Sequence, residues 1–209
     1  VLETGELSRW SLTENYRDVV DLEYSPDGYL LAMVTSRDQN LHLFRAQDGA
    51  TVSNQTGHSQ APLCLKFHPD GARVFTGSSD SEVRAWSAGE SLRSWTPQDA
   101  LLRQHNTSGS AIPALAFSPH QGQFVTKVGD TSLLVLDVEN PWIQQTLEGH
   151  SFKATCAAYS RDGNRIVSGS TENVVYVWDV ETGDRQLELE GHTQWVSSVA
   201  FSPDDKRIL

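Results

Sequence analysis

Runs of alternating apolar and polar residues cover most of the chain, and turn-forming Gly, Asp and Asn interrupt them at short intervals. Residues 154 to 190 display the pattern most clearly. There "ATCAAYS" leads into Arg161-Asp162-Gly163, "RIVSGS" into Glu172-Asn173, "VVYVWDV" into Glu181-Thr182-Gly183, and "QLELE" follows. Period-two alternation bounded by such residues predicts four short β-strands joined as an antiparallel meander, with no helical period competing. A lone meander leaves its apolar faces wet, so further sheets must cover it.

The same unit recurs. "DLEYSPDG" at 21–28 returns as "CLKFHPDG" at 64–71, "ALAFSPHQG" at 114–122, "CAAYSRDG" at 156–163 and "SVAFSPDD" at 198–205. The aromatic residue of each copy falls at Tyr24, Phe67, Phe117, Tyr159 and Phe201, a period of about 42 residues with one insertion of about eight. Such a period means one supersecondary unit per repeat, stacked side by side around an axis.

Gly57-His58, Gly149-His150 and Gly191-His192 open units, and Trp178-Asp179 closes a third strand, with Trp86-Ser87, Leu136-Asp137 and Phe44-Arg45 at the matching places. In these residues the chain resembles the WD-repeat family of β-propellers. The resemblance implies an all-β fold of four-stranded antiparallel blades. The expected divisions are 1–15 as the outer strand of a preceding blade, 16–56, 57–103, 104–148 and 149–190 as blades one to four, and 191–209 as the start of a fifth. "VLETGELSRW" at the start aligns with "DVETGDRQLEL" at 179–189, and "SPDDKRIL" stops as a second strand begins, so a partial propeller is expected. A five-bladed ring sharing one hybrid blade is the alternative.

The family links a His, a Ser or Thr, an Asp and the Trp within a blade. Carried over, blade two supplies His58, Thr76, Asp80 and Trp86, and blade four His150, Ser168, Glu172 and Trp178, where the longer carboxylate is expected to lengthen or strain the link. Blade three keeps Thr126 and Asp130 but has Leu136, with His105 a doubtful match; blade one offers Asn15, Val34, Asp38 and Phe44, a network expected to be lost. A His–hydroxyl–carboxylate set invites comparison with a catalytic triad. It recurs blade by blade with a Trp partner, however, and neither an oxyanion hole nor a nucleophile motif accompanies it. No enzyme activity, cofactor or metal is expected, since the seven His lack ligand spacing.

Composition narrows the partners. A formal charge of −11 without basic runs argues against nucleic acid, and no apolar run is long enough for a membrane span. With no leader pattern at 1–10, an intracellular setting, cytoplasmic before nuclear, is expected. Cys64 and Cys156 hold equivalent positions in non-adjacent units and are expected to be buried free thiols.

The resemblance also implies a top surface built from positions six and four residues before each aromatic and one before each turn carboxylate. These are Asp18 and Val20, Ala61 and Leu63, Ala111 and Pro113, Lys153 and Thr155, Trp195 and Ser197, with Arg37, Ser79, Gly129 and Thr171 at the turns. Exposed Trp and Arg are frequent anchors of interfaces. The expected partner-binding residues are therefore Trp195, Arg37, Lys153, Thr155, Asp18 and Leu63, serving a scaffold that binds a protein or peptide. A sensor or targeting propeller of a larger enzyme or nucleotide-hydrolysing switch is the alternative. Self-association through open blade edges is also expected, and the 94–110 insertion could dock a partner.

Overall fold

The computed structural model describes residues 18–88, 111–120, 122–138 and 143–209. Its first sheet runs β1 (Val19–Tyr24), β2 (Leu30–Thr35), β3 (Asn40–Arg45) and β4 (Thr51–Thr56), each antiparallel to the next. The second holds β5 (Pro62–Phe67), β6 (Arg73–Ser78) and β7 (Val83–Ser87). The third holds β8 (Leu115–Phe117), β9 (Gln123–Val128), β10 (Ser132–Asp137) and β11 (Ile143–Leu147), and the fourth β12 (Ala154–Tyr159), β13 (Arg165–Ser170), β14 (Val175–Asp179) and β15 (Arg185–Leu189). A fifth unit begins with the antiparallel bridge Phe201–Ile208, the register of Phe67 with Val74. Among the described residues, sheets one, three and four show the expected meander of four strands.

Each turn after a first strand is built locally. Ser25 Oγ donates to Asp27 Oδ1 at 2.5 Å and accepts from Leu30 N at 2.9 Å, and Ser160 with Asp162 and Ser202 with Asp204 repeat the arrangement. The fourth turn residue needs positive φ, supplied by glycine in three units (Gly28, Gly71, Gly163) and by Asp205 at φ 56° in the fifth. Asp205 has a compensating role: its carboxylate accepts from Arg161 N at 2.8 Å and Asp162 N at 3.1 Å, joining units four and five.

The core lies between sheets. Leu30, Ala32, Val34, Leu41 and Leu43 of sheet one meet Leu65, Phe67, Val74 and Trp86 of sheet two. Phe75, Val83 and Ala85 of sheet two meet Ile112, Leu115, Phe124 and Leu136 of sheet three, and Val125, Leu133 and Val135 meet Ile166, Tyr176 and Trp178 of sheet four. Val167, Val175 and Val177 then meet Val196 and Val199. Burying each such large apolar side chain contributes about 1.5–3 kcal/mol, so blade stacking supplies the stability that an isolated meander lacks.

Size complementarity tunes these seams. Gly77 pairs with Cys64 across the sheet, and a Cβ there would stand 2.6 Å from Ile112 Cγ2 of the next unit. Gly169 pairs with Cys156, with Val196 Cγ1 at 2.5 Å from the same virtual atom. Lys127 occupies this register position on β9, and the residue of the next unit matching Ile112 and Val196 is the smaller Ala154. Small meets large at two seams and large meets small at the third. Both cysteines are free; burial pushes the Cys64 thiol up to about 12.

The register corrects one equivalence. Leu31 pairs with Phe44 and Met33 with His42, as Val74 pairs with Trp86 and Thr76 with Arg84. Met33, not Val34, therefore stands at the position of Thr76, because unit one carries its extra residue in the turn between β2 and β3.

Candidate functional site

Blade two contains the full linked set. Trp86 Nε1 donates to Thr76 Oγ1 at 2.7 Å, His58 Nε2 lies 2.6 Å from that hydroxyl, and His58 Nδ1 lies 2.8 Å from Asp80 Oδ2. Asp80 also accepts from Ser59 N and Glu82 N, anchoring the loop before β5 to the turn after β6. Burial pushes the His58 pKa down despite the nearby carboxylate, so the ring is neutral. A neutral ring donates from Nδ1 to Asp80 and accepts the Thr76 hydroxyl proton at Nε2, which satisfies every member.

Blade four repeats the set with Glu172. Trp178 Nε1 and His150 Nε2 both lie 2.7 Å from Ser168 Oγ, and His150 Nδ1 is 2.5 Å from Glu172 Oε1. The expected lengthening does not occur. The extra methylene carries the second carboxylate oxygen to Ser151 N at 3.0 Å, while Ser170 Oγ donates to the first.

Blade one has a substitute network instead of none. His42 on β3 places Nε2 3.0 Å from Asp38 Oδ2 and Nδ1 2.9 Å from Asn54 Oδ1, so the imidazole comes from the third strand and not from the preceding loop. Asn15 and His105 lie outside the described residues. In blade three the Thr126 hydroxyl turns to the Ala114 carbonyl, and Asp130 takes the buried Lys127 ammonium at 3.3 Å. Burial holds the Lys127 pKa below the usual lysine range.

His58, Asp80 and Glu82 bring possible metal-ligand atoms within 4.8 Å of one another. Both His58 nitrogens are engaged within the blade, however, and Glu82 holds Arg84 at 2.6 Å. The arrangement is a structural clasp.

What these clasps support is the surface where the loop into each first strand meets the turn after each second strand. Ser36 N donates to Asp18 O, Ser79 N to Ala61 O and Thr171 N to Lys153 O, at 2.9–3.1 Å. Adjoining blades are stitched there as well, by Ile112 N to Ser78 O, Ala154 N to Asp130 O and Val196 N to Ser170 O. Proline at 62 removes that donor at the first seam. Asp21 and Glu23 side chains instead accept from Leu65 N and Phe67 N on the edge of β5.

The six expected contact residues separate into three groups. Trp195 is 71% exposed, and Lys153 is exposed on the neighbouring blade. Arg37 and Asp18 are exposed but pair with each other at 2.5 Å. Leu63 is half-buried, and the Thr155 hydroxyl is committed to the carbonyls of Val196 and Gly169, making it a joint between blades four and five. Phe152, 62% exposed, went unnoticed in the sequence because it precedes the family contact position by one residue. Its signal was a large apolar side chain two residues after His150, where blade two has Gln60.

Comparison with known proteins agrees with this construction. The family described as WD domain, G-beta repeat matches residues 49–87, 142–179 and 183–209. The chain is 26% identical over 169 residues to Eukaryotic translation initiation factor 3 subunit I of Pyricularia oryzae, covering 78% of this chain and 49% of that protein. It is 29% identical over 111 residues to Protein groucho of Drosophila melanogaster, covering 53% of this chain and 14% of that protein. With Intraflagellar transport protein 122 homolog of Danio rerio it shares 24% identity over 160 residues, or 75% of this chain and 12% of that protein. The chain thus spans about half the length of the first of these relatives and much less of the others. Repeated clasps, blade-by-blade seams and these matches together place the chain in the WD-repeat family, as part of a β-propeller.

Proposed function

We propose that the chain is a non-catalytic interaction scaffold that binds a protein or peptide across the surface formed by Trp195, Lys153, Arg37, Asp18, Leu63 and Thr155. The exposure of Trp195 carries this reading: a large apolar ring is held in water by a loop whose neighbour, Val196, is hydrogen-bonded to the adjoining blade. Such fixed display lowers the ordering cost of binding. The first relative is by name a subunit of a larger factor, which supports a role in assembly. A non-catalytic role also accords with the His–hydroxyl–carboxylate sets of blades two and four being consumed by Trp86 and Trp178.

The exposed apolar side chains on the first strand of blade one support self-association. Leu22 and Tyr24 are 52% and 56% exposed, whereas their counterparts Leu65 and Phe67 are buried against a neighbouring blade.

The test uses peptides selected on the immobilised chain from a displayed random library. Trp195→Ala combined with Lys153→Glu is expected to abolish their capture with the circular dichroism of the sheets unchanged. Undiminished capture moves the binding surface elsewhere.

A further inference from the structure

The described top surface is uneven. At the position six residues before the aromatic, blades two and three carry Ala61 and Ala111, and blade one carries Asp18, tied to Arg37. Blade four carries Lys153 with Phe152 beside it, and blade five carries Trp195. The segments that carry these three residues flank a single turn: Thr171 N is bonded to Lys153 O, and Ser170 O accepts from Val196 N. Thr155, on β12, bridges to Val196 O and ties the two segments together.

Among the described residues, acidic side chains hold most of the cations, as in Arg37 with Asp18, Lys66 with Glu23 and Arg84 with Glu82. Lys153 has no carboxylate partner among them, as is also true of Arg161 and Arg165, which reach backbone carbonyls, and of Lys206 and Arg207. Of the acids on the adjoining turns, Asp130 pairs with Lys127 and Glu172 is hydrogen-bonded to His150. The field of Lys153 reaches Lys127 and helps hold its pKa down. A protein of formal charge −11 thus carries, on the loops that also present the exposed rings of Phe152 and Trp195, an exposed ammonium outside any ion pair among the described residues.

From this juxtaposition we infer that the seam between blades four and five takes an acidic side chain flanked by large apolar ones, from an extended peptide segment of a partner protein. The ammonium of Lys153 would receive the carboxylate, while Phe152 and Trp195 would cover the apolar neighbours. Alternate residues of an extended peptide face the same side, so the fitting pattern is apolar-x-acidic-x-apolar. The inference rests on the proposed scaffold role and assigns chemistry and location to it.

Capped Leu-Gly-Glu-Gly-Leu and its Gln and Lys counterparts would be titrated into the labelled chain, following the backbone amides of Lys153, Thr171 and Trp195 by NMR. The Glu peptide is expected to shift these amides and to bind about two- to fivefold tighter than the Gln peptide, the range for an exposed charge pair, with the Lys peptide weakest. Lys153→Met, which keeps the aliphatic stem, should erase the Glu-over-Gln preference, and Trp195→Ala should weaken both. Equal binding of the Glu and Gln peptides, shifts centred on Arg37 and Asp18, or saturation by none of the three would overturn the inference. Capture of library-selected peptides by the unaltered chain, lost in the Trp195 and Lys153 double variant, would leave the broader scaffold reading standing in each case.

Discussion

Replacing Gly77 by Ala tests whether blades are fitted to one another by size. The new methyl would lie 2.6 Å from Ile112 Cγ2, 2.8 Å from the Ile112 carbonyl oxygen and 2.9 Å from Cys64 Sγ. Ordinary carbon contacts are about 3.5–4.0 Å, and two neighbours belong to the next blade, so the seam must open. Overpacking of this kind costs about 1–3 kcal/mol. Ile112→Ala removes the nearest atom but by itself opens a void costing about 2–5 kcal/mol. Combined, each change relieves part of the other's defect, and the double variant should be more stable than the sum of the single losses predicts by about 1 kcal/mol or more. Urea unfolding followed by tryptophan fluorescence measures all three. The seam between blades three and four supplies the reverse experiment: Ala154→Val should destabilise alone and be tolerated with Lys127→Gly, which recreates the Gly169 and Val196 pairing. Additive losses at both seams, or a Gly77→Ala cost below about 0.5 kcal/mol, would refute the argument.

Three further outcomes follow from single observations. The Tyr159 hydroxyl is buried without a hydrogen-bond partner where sister units carry Phe67, Phe117 and Phe201, so Tyr159→Phe should raise stability by about 1 kcal/mol, read from the urea midpoint. Burial depresses the folded-state pKa of His58 and His150 below their ordinary 6.5, so the unfolded chain takes up protons first on acidification. Their contribution to stability is intact above that value and is lost as pH falls from 6.5 through the depressed pKa values. The lowered pKa values of Asp80 and Glu172 extend the loss below the ordinary carboxylate range, and unfolding midpoints measured from pH 8 downward should follow this course. Light scattering should find concentration-dependent association of the chain, reduced by Leu22→Ser with Tyr24→Ser, which removes exposed apolar area from blade one.

The repeat and the clasps were legible because each depends on residue types at fixed spacing: His58 to Thr76 is 18 residues and His150 to Ser168 is 18. The blade-one substitute was not, since His42 reaches the same carboxylate position from another strand, and only the pairing of Met33 with His42 places the extra turn residue. Thr155 looked like a contact residue because sequence position fixes which edge of the sheet it occupies, not whether its hydroxyl is already spent on Val196 O. The exchange of sizes between Lys127 and Ala154 joins two units and leaves no mark within either alone.

Hydrogen–deuterium exchange with a library-selected peptide bound tests the scaffold account most directly. The account predicts slowed exchange confined to residues 151–155, 170–172 and 193–197, where the loops of blades four and five meet the intervening turn. Slowed exchange concentrated on the outer strand 185–189, with those loops unchanged, would contradict it.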